Sequence, residues 1–558
     1  MELSEMCRKS WQLSNLLTVL IPGIVGFIIA MAISLSRWPE PSMHDDFGNL
    51  LVASTLLAGR LANPVPPAWQ SMETFHVVFQ PTYASKYPIG LGSVLALGKL
   101  LFGSFAAGLW LCAGLASSAM AWMVNAHFPR RWGMAVGLMT ATHPYWQNGW
   151  SQEFTNGWLA VTGVALVLGG LLRIRRTYRR TCPANSNSTL ALRSLNTAMV
   201  GAGCVLTLFS RPFEGGLVCG LLGLYFLPVI VSRGLYANTR FWRAALPGAA
   251  ILGAGISLQL VINQSITGNA MLLPYQLHET QYGVAPVLIW QKPHEPSLGH
   301  RFVQQVTFHR GWSMDAYNRA SSFFGYFEML GRRIEFLVKH WGQLLAFAPA
   351  FLIVLPFERR RLIGIIGILL ISVLAINCIP WTVPQYVSPL IPIAMFVACC
   401  VARGLVKRAA KILRLPARPI GIEYALFASI ILFQCGTCWS TAQARTMRGE
   451  SWETTWAEKR AAMIQQLERK PGSDVVFVRY TTEYDTVKSE WVFNDANIEN
   501  SPVIWVRWGS SELNDRVMDC YSGRKFWLLE FNSLGEPLLK ELERADGYLQ
   551  QLHRIITR

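Results

Sequence analysis

The chain of 558 residues carries 50 Lys and Arg against 33 Asp and Glu, a net charge of +17 at pH 7, yet only 15% of its residues are charged and 52% are hydrophobic. Soluble domains carry roughly 25% charged residues, so this composition excludes an ordinary soluble protein. The positive charge does not indicate nucleic-acid binding, because the basic residues cluster between hydrophobic segments and no nucleic-acid-binding or P-loop signature is present.

Apolar runs of about 17–22 residues predict a polytopic membrane protein with about eleven transmembrane helices. The predicted spans cover 16–35, 106–126, 132–148, 155–173, 195–210, 213–231, 243–263, 341–357, 361–379, 385–404 and 420–440. No A-x-A-like cleavage site follows the first span, so we interpret it as a retained helix and not a signal peptide. Basic clusters lie at every second connection, which predicts an inner N-terminus and places the polar connections outside.

The first outer loop, residues 36–105, contains two further helical patterns. Residues 46–61 are amphipathic at helical spacing. Residues 88–102 are apolar but do not fit the alternation of basic loops, so we interpret them as an interfacial or re-entrant helix. A second long outer loop spans 264–340. Long ordered loops are usually functional, although a simple cap over the helix bundle is an equal alternative.

After residue 440 the composition becomes hydrophilic. Helix-like patterns occupy 450–470 and 538–555, and strand-like runs occupy 474–480, 502–508 and 525–531. We therefore predict a mainly α fold: a helical membrane domain over 1–440, followed by a small soluble α/β domain over 441–558 on the outer side. A structural or acceptor-docking role is expected for this second domain.

Two adjacent carboxylates, Asp45 and Asp46, follow the first span. The simplest interpretation is a solvated loop with a helix N-cap, since Asp favours that position. The alternative is catalysis at the outer surface on a sugar carried by a lipid phosphate. An inverting displacement then needs one carboxylate to activate the incoming hydroxyl and cations to stabilise the leaving phosphate. Adjacent side chains point in different directions, so only one of the two is expected to face the acceptor.

Other polar residues of the outer connections are the candidates for substrate binding. Three cations could bind the phosphate, since Arg binds it bidentately and Lys acts as a point charge: Lys86, Arg211 and Arg310. Three tyrosines could contact a sugar ring, with interfacial anchoring as the alternative: Tyr87, Tyr275 and Tyr386. Further candidates are Glu153, Glu214 and His278.

Metal dependence is left open by the sequence. Asp45, Asp46 and Glu153 could hold a divalent ion, because hard cations prefer carboxylate oxygens. No other cofactor is predicted.

Three motifs resemble the GT-C glycosyltransferases over roughly residues 10–400, and are most similar to the branch of protein O-mannosyltransferases and aminoarabinose–lipid A transferases. They are His44-Asp45-Asp46-Phe47 after the first helix, Ser85-Lys86-Tyr87-Pro88 before an apolar segment, and Gln385-Tyr386-Val387-Ser388-Pro389 before a later helix. Two positions depart from the family pattern: Gln385 stands where relatives often have Arg, and Ile89 stands where a second Pro occurs.

The resemblance implies an integral membrane enzyme that transfers a hexosyl or pentosyl unit from a polyprenyl-phosphate donor at the extracytoplasmic face, in a bacterial inner or plasma membrane. It also implies that Asp45 or Asp46 is the base and that Lys86 contacts phosphate. The acceptor could be a glycan, a lipid or a protein; membrane lipids are partners and nucleic acid is not. The alternatives are a transporter or lipid flippase, which needs ionisable groups near the bilayer midplane, and a non-catalytic envelope scaffold.

Overall fold

The computed structural model describes residues 2–179, 187–232, 235–341, 350–412, 414, 420–448, 455–469 and 472–542. The first helices in chain order are α1 Glu2–Ser36, α2 His44–Leu57, α3 Ile89–Phe102, α4 Ala106–Asn125, α5 Arg130–Ala141, α6 Pro144–Asn148, α7 Gly157–Arg179, α8 Asn187–Leu208, α9 Pro212–Val231 and α10 Thr239–Thr267. The later helices are α11 Pro274–Tyr282, α12 Val303–Val306, α13 Ser313–Ser321, α14 Phe323–Trp341, α15 Ala350–Ile376, α16 Ile391–Ile412, α17 Ile420–Arg448, α18 Trp456–Glu468 and α19 Ser511–Cys520.

Within these residues, eight helical segments are long and apolar enough to cross a membrane. They are Leu16–Ser36, Ala106–Asn125, Gly157–Tyr178, Thr189–Leu208, Pro212–Val231, Thr239–Thr267, Pro384–Ile412 and Ile420–Ala444. The chain is an integral multi-pass membrane protein, as the sequence predicts. The count of about eleven spans is not confirmed.

The predicted span 132–148 is replaced by two shorter helices, α5 and α6. Pro144 explains the break between them. Proline disfavours a helical conformation at the residue before it, and His143 has the extended dihedral angles φ −66° and ψ 117°. The last part of the predicted span is therefore a short separate helix, α6.

The predicted spans 341–357 and 361–379 are not separated by a loop at the Arg359–Arg361 cluster. Helix α15 continues through this cluster from Ala350 to Ile376, and its apolar part is the short segment Leu362–Ile376. Arg and Glu are good helix formers, so the charges do not end the helix. Part of the first of these two spans, 342–349, lies outside the described residues.

The membrane helices pack closely where small residues face each other. Helix α1 packs against α4 and α5, and α8 packs against α7 and α10. At Gly23 of α1, an added Cβ would lie 2.1 Å from the hydroxyl oxygen of Ser118 on α4. This glycine therefore permits the close approach that holds α1 against the bundle.

The C-terminal strands form one sheet in the order β4-β3-β5-β6, with the bounds β3 Asp474–Arg479, β4 Val503–Arg507, β5 Lys525–Phe531 and β6 Pro537–Leu542. Strands β3, β4 and β5 are parallel, and β6 is antiparallel to β5. The three predicted strands are confirmed, and α18 lies within the predicted helix 450–470. The predicted helix 538–555 is wrong where it is described, since these residues form β6, which pairs with β5; residues 543–555 lie outside the described residues.

The sheet shares a hydrophobic core with the first outer loop. That loop contains α2, α3 and a two-stranded hairpin formed by β1 Val77–Val78 and β2 Ala84–Ser85. Side chains of the loop and of the sheet pack in one cluster, which includes Leu51, Met72, Phe79, Phe477, Ile504 and Val506. The sheet therefore supports the loop that carries Asp45 and Lys86. The domain boundary at residue 440 stays a prediction.

Candidate functional site

The first turn of α2 separates the two aspartates. Asp46 is fully buried, and its Oδ2 accepts hydrogen bonds from the backbone N–H groups of Ser42 at 2.9 Å and Met43 at 3.0 Å. A carboxylate at this position satisfies N–H groups that have no partner inside the helix. The expected aspartate at the N-cap is wrong, because the N-cap residue of α2 is Met43. Asp46 is the third residue of the helix, its carboxylate reaches back to the N–H groups before the helix, and it does not line the cavity described below.

The pKa of Asp46 is raised from its usual 3.8 to about 7, mainly by burial and then by the negative charge of Glu153, while the two backbone hydrogen bonds oppose the rise. Its second oxygen, Oδ1, has no hydrogen-bond partner among the described residues. A proton on this oxygen would remove the cost of a buried charge.

Asp45, in contrast, lines a cavity and is held by two side chains. The hydroxyl of Tyr87 donates a hydrogen bond of 2.5 Å to Asp45 Oδ1, and His76 Nε2 lies 3.6 Å from the same oxygen. Burial, followed by the charge of Asp45, raises the pKa of Tyr87 well above its usual range. Tyr87 therefore remains a hydrogen-bond donor to the carboxylate.

The backbone around Asp45 is shaped to bring these partners in. An added Cβ at Gly48 would lie 2.5 Å from Cδ2 of Tyr87, so only glycine leaves room for this ring. His76 has a positive φ of 65°, in the left-handed region that costs a non-glycine residue about 1–3 kcal/mol. Such strain persists only when surrounding structure holds it, and it is concentrated at functional sites.

Two cations face the same cavity, each beside a carboxylate and an aromatic ring. Lys86 Nζ lies 3.1 Å from Glu279 Oε1 and 4.6 Å from the centroid of the Tyr275 ring. Burial alone would raise the pKa of Glu279, but Lys86 and His278 together lower it below its usual range. The buried Glu279 is therefore a carboxylate that pairs with Lys86.

Arg211 is the second of these cations. Its Nη1 lies 3.8 Å from Glu214 Oε1, and its guanidinium lies 4.8 Å from the centroid of the Tyr386 ring. Its buried Nε has no hydrogen-bond partner among the described residues. Arg211 therefore keeps donor capacity for an anion.

The cavity has a volume of about 1030 Å³ and lies between the first outer loop, the membrane helices and the C-terminal domain. It brings together seven of the eleven residues predicted from the sequence: Asp45, Lys86, Tyr87, Glu153, Arg211, Tyr275 and Tyr386. These residues are separated by up to about 340 positions in the chain, so their convergence is a property of the fold.

Four predicted residues do not line the cavity. Asp46 caps α2, Glu214 pairs with Arg211, and His278 Nδ1 lies 3.3 Å from Glu279 Oε1. Arg310 is exposed and forms an ion pair with the exposed Glu295. The predicted contact of Arg310 with phosphate has no support in this arrangement.

Sequence reasoning missed several lining residues. Glu279 follows the predicted His278 directly, and His76 and His309 carry no recognisable motif. The C-terminal domain also contributes, through Asp485, Val487 and Lys488. No pattern in the sequence could place these three residues at a site formed mainly by the membrane domain.

A smaller pocket of about 100 Å³ shares Lys86, Tyr87 and Tyr275 with the large cavity. Its other walls are mostly apolar side chains of α2, α8 and α10, including Val52, Leu56, Leu208, Ile262 and Ile266. Lys86 therefore lies between a polar cavity and an apolar pocket.

Among the described residues, no group of three or more His, Cys, Asp or Glu side chains is arranged to hold a metal ion. Asp45 and Glu153 line the cavity, whereas Asp46 is buried and does not line it. The three carboxylates considered above for a divalent ion therefore do not converge on one point.

The chain folds as a multi-pass helical bundle with helices α2 and α3 in the loop after its first helix and an α/β domain after its last membrane helix. ArnT from Cupriavidus metallidurans is one solved structure with this fold: its apo form matches at a TM-score of 0.53 and 12% identity, over 95% of this chain and 94% of that chain. The form bound to undecaprenyl phosphate matches at a TM-score of 0.53 and 12% identity, over 93% of each chain. At this identity the similarity shows the fold alone.

A weaker similarity is to the Archaeoglobus fulgidus oligosaccharyltransferase tethered with an acceptor peptide, at a TM-score of 0.48 and 10% identity over 94% of this chain and 74% of that chain. No protein-family model and no curated protein sequence matches the chain significantly.

Proposed function

We propose that the chain is an integral membrane glycosyltransferase that moves a monosaccharide from a polyprenyl-phosphate donor to an acceptor at the extracytoplasmic face, with inversion at the anomeric carbon. The observation that carries the proposal is the position of Asp45 in the same cavity as Lys86 and Arg211. A carboxylate and two cations are the groups that this displacement requires.

Asp45 is the general base of the proposed reaction. It accepts the proton of the acceptor hydroxyl while the acceptor oxygen attacks the anomeric carbon. The bond between that carbon and the phosphate oxygen breaks, and its electron pair leaves with the phosphate. No general acid is needed, because the leaving phosphate is stable as an anion. Lys86 and Arg211 stabilise the charge that develops on it.

The donor lipid would reach the site from the side of the apolar pocket. Lys86 lies at the boundary between this pocket and the cavity, which suits a phosphate with an apolar chain on one side and a sugar on the other. The structurally similar ArnT has a structure with bound undecaprenyl phosphate, which supports this class of donor. The acceptor is a glycan, lipid or protein that enters the cavity from outside.

The membrane orientation follows from the charge pattern. In the sequence, basic clusters alternate with the predicted outer loops, so the positive-inside rule favours a cavity and a C-terminal domain outside the cytoplasm. This arrangement corresponds to a bacterial inner or plasma membrane with the active site on its periplasmic or extracellular side.

The test is transfer from a polyprenyl-phosphate-linked sugar by the purified full chain in lipid nanodiscs. Asp45→Asn is expected to reduce transfer at least about 100-fold, the usual contribution of a general base, while Asp46→Asn retains substantial transfer. Comparable expression, and a thermal midpoint no lower than that of the wild-type protein, control for the folding of both variants. Full transfer by both variants would refute the proposal, and lipid scrambling without transfer would favour the flippase alternative.

A further inference from the structure

Helix α14 places a buried arginine, Arg333, beside the cavity, and the proposed mechanism does not use it. Arg333 is 1% exposed, and its guanidinium lies 5.9 Å from the centroid of the Tyr386 ring, which lines the cavity. The guanidinium of Arg211 lies 4.8 Å from the same centroid. Two arginines from distant parts of the chain therefore meet at one ring of the cavity wall.

The hydrogen bonds of Arg333 go to uncharged groups. Its Nε donates to Asn377 Oδ1 at 3.1 Å, and its Nη2 donates to the backbone carbonyls of Ile379 at 2.6 Å and Trp381 at 3.0 Å. Its Nη1 is buried and has no hydrogen-bond partner among the described residues. These bonds hold the turn that precedes Tyr386, but they do not require a positive charge.

Arg333 nevertheless carries a positive charge. Burial lowers its pKa to about 10, so the guanidinium is a cation at pH 7. The carboxylate whose charge acts on it is Glu214, and Glu214 already pairs with Arg211 at 3.8 Å. Burying a charge without a counter-ion of its own is costly, which indicates that this charge serves an anion that binds nearby.

The two cations that line the cavity each lie beside a buried carboxylate. Lys86 pairs with Glu279, and Arg211 pairs with Glu214. In each pair the carboxylate offsets the positive charge that would attract a phosphate. When Arg333 is included, two guanidinium groups share the one carboxylate of Glu214, which leaves one positive charge in excess.

The segment around Tyr386 supplies no charge of its own, because residues 380–390 contain no Lys, Arg, Asp or Glu. Besides Glu214, the carboxylate that faces Tyr386 is Asp45. As the proposed base, Asp45 takes up the acceptor's proton and loses its charge while negative charge develops on the leaving phosphate. The excess positive charge on this side of the cavity therefore comes from Arg333.

We propose that Arg333 is a positioning residue that supplies the excess positive charge with which Arg211 binds the phosphate of the polyprenyl-phosphate donor. This inference rests on the proposed function. Arg333 does not line the cavity, so it acts on the phosphate through the electric field and not by contact. Attraction between two charges about 10 Å apart, at an effective dielectric constant of about 20, corresponds to roughly a tenfold change in affinity.

The test measures binding of undecaprenyl phosphate, and of the uncharged undecaprenol, to the purified full chain in lipid nanodiscs. Arg333→Met is expected to weaken binding of undecaprenyl phosphate about tenfold and to leave binding of undecaprenol unchanged, because only the first ligand carries a charge. Arg333→Lys keeps the charge and should retain most of the affinity. Arg332→Met in the same helix is the matched control, since it breaks only an exposed ion pair with Glu328.

A second variant changes the charge balance in the opposite direction and leaves Arg333 with its hydrogen bonds in place. Glu214→Gln removes the shared carboxylate and should tighten binding of undecaprenyl phosphate about tenfold, again without an effect on undecaprenol. This variant decides the question if Arg333→Met does not fold.

The outcomes separate this role of Arg333 from the proposed function. Equal losses of affinity for both ligands in Arg333→Met would indicate a structural role and overturn the inference. Wild-type affinity for undecaprenyl phosphate in Arg333→Met or in Glu214→Gln would also overturn it. Loss of transfer in Asp45→Asn would leave the proposed function standing in either case. Equal affinity of the wild-type chain for the two ligands would overturn both the inference and the proposed donor class.

Discussion

Tyr87 donates a 2.5 Å hydrogen bond to Oδ1 of Asp45, and this bond joins the two sequence motifs of the first outer loop. The sequence analysis treats Tyr87 as a sugar-binding ring. The structure gives its hydroxyl a second use, because a hydrogen bond fixes the direction in which the carboxylate presents its other oxygen. An oriented carboxylate is a better base than a freely rotating one.

We therefore expect Tyr87→Phe to lower kcat for transfer about tenfold and to change KM little, since the variant keeps the ring and loses only the hydroxyl. Steady-state kinetics with a lipid-linked sugar would measure the effects on kcat and on KM separately.

Gly48→Ala should reproduce the defect of Tyr87→Phe, because the added Cβ would lie 2.5 Å from the Tyr87 ring. Gly216→Ala is the control, since the new atom there has open space around it. A raised KM with unchanged kcat in Tyr87→Phe would indicate sugar contact instead.

The buried Lys86–Glu279 pair predicts that variants can restore the stability of the protein without restoring its binding of the donor. Lys86→Gln leaves Glu279 buried without its cation, which is expected to cost about 3–5 kcal/mol of stability. The double variant with Glu279→Gln removes the unpaired charge and should recover most of that stability. It should not recover donor binding, because the phosphate still lacks its point charge. Thermal unfolding and a lipid-donor binding assay would test both parts; recovery of donor affinity in the double variant would contradict this role of Lys86.

The raised pKa of Asp46 predicts a pH-dependent stability. The carboxyl of Asp46 has a pKa of about 7 in the folded protein and the ordinary value of 3.8 in the unfolded chain. It therefore binds more protons in the folded protein. Its contribution is fully present below pH 3.8 and is lost as the pH rises through about 7. Each unit of pKa difference corresponds to about 1.4 kcal/mol. The thermal midpoint should therefore decrease as the pH is raised from 5 to 8. Asp46→Asn should make the midpoint less dependent on pH over this range. Identical slopes in the two proteins would contradict the assignment.

A buried ion pair in the C-terminal domain connects the sheet to the loop after α1, which contains Glu73. Arg507 Nη2 lies 2.6 Å from Glu490 Oε2, and Arg507 Nε donates to the backbone carbonyl of Glu73 at 2.8 Å. Arg507→Met should destabilise the protein by about 3–5 kcal/mol, because Glu490 would remain buried and unpaired. Lys459→Met, which breaks a partly exposed pair with Glu536, should cost less than about 1 kcal/mol. Thermal unfolding of both variants would test the difference; equal losses would contradict it.

Local sequence signals predicted the elements well where hydrophobic pattern alone decides them. Strand 525–531 is found with the predicted bounds, and the apolar segments near 106–126 and 213–231 are helices. The prediction failed at β6, where pairing with a neighbouring strand overrides the local pattern, and in span 132–148, where Pro144 breaks the helix. Residues 538–542 have a helical pattern but form a strand, because the edge of β5 offers a hydrogen-bonding partner.

For the site, the sequence by itself determined which residues could do the chemistry: the paired acids, Lys86, Arg211 and the tyrosines, all on predicted outer connections. Only the tertiary structure decided which aspartate faces the cavity, since adjacent side chains on a helix point to different surroundings. It also decided that His76, Glu279 and the loop at Asp485 belong to the same cavity, although these residues carry no motif. The physical reason is that chemical type is a property of each residue, whereas burial, direction and convergence depend on the packing of distant segments against one another.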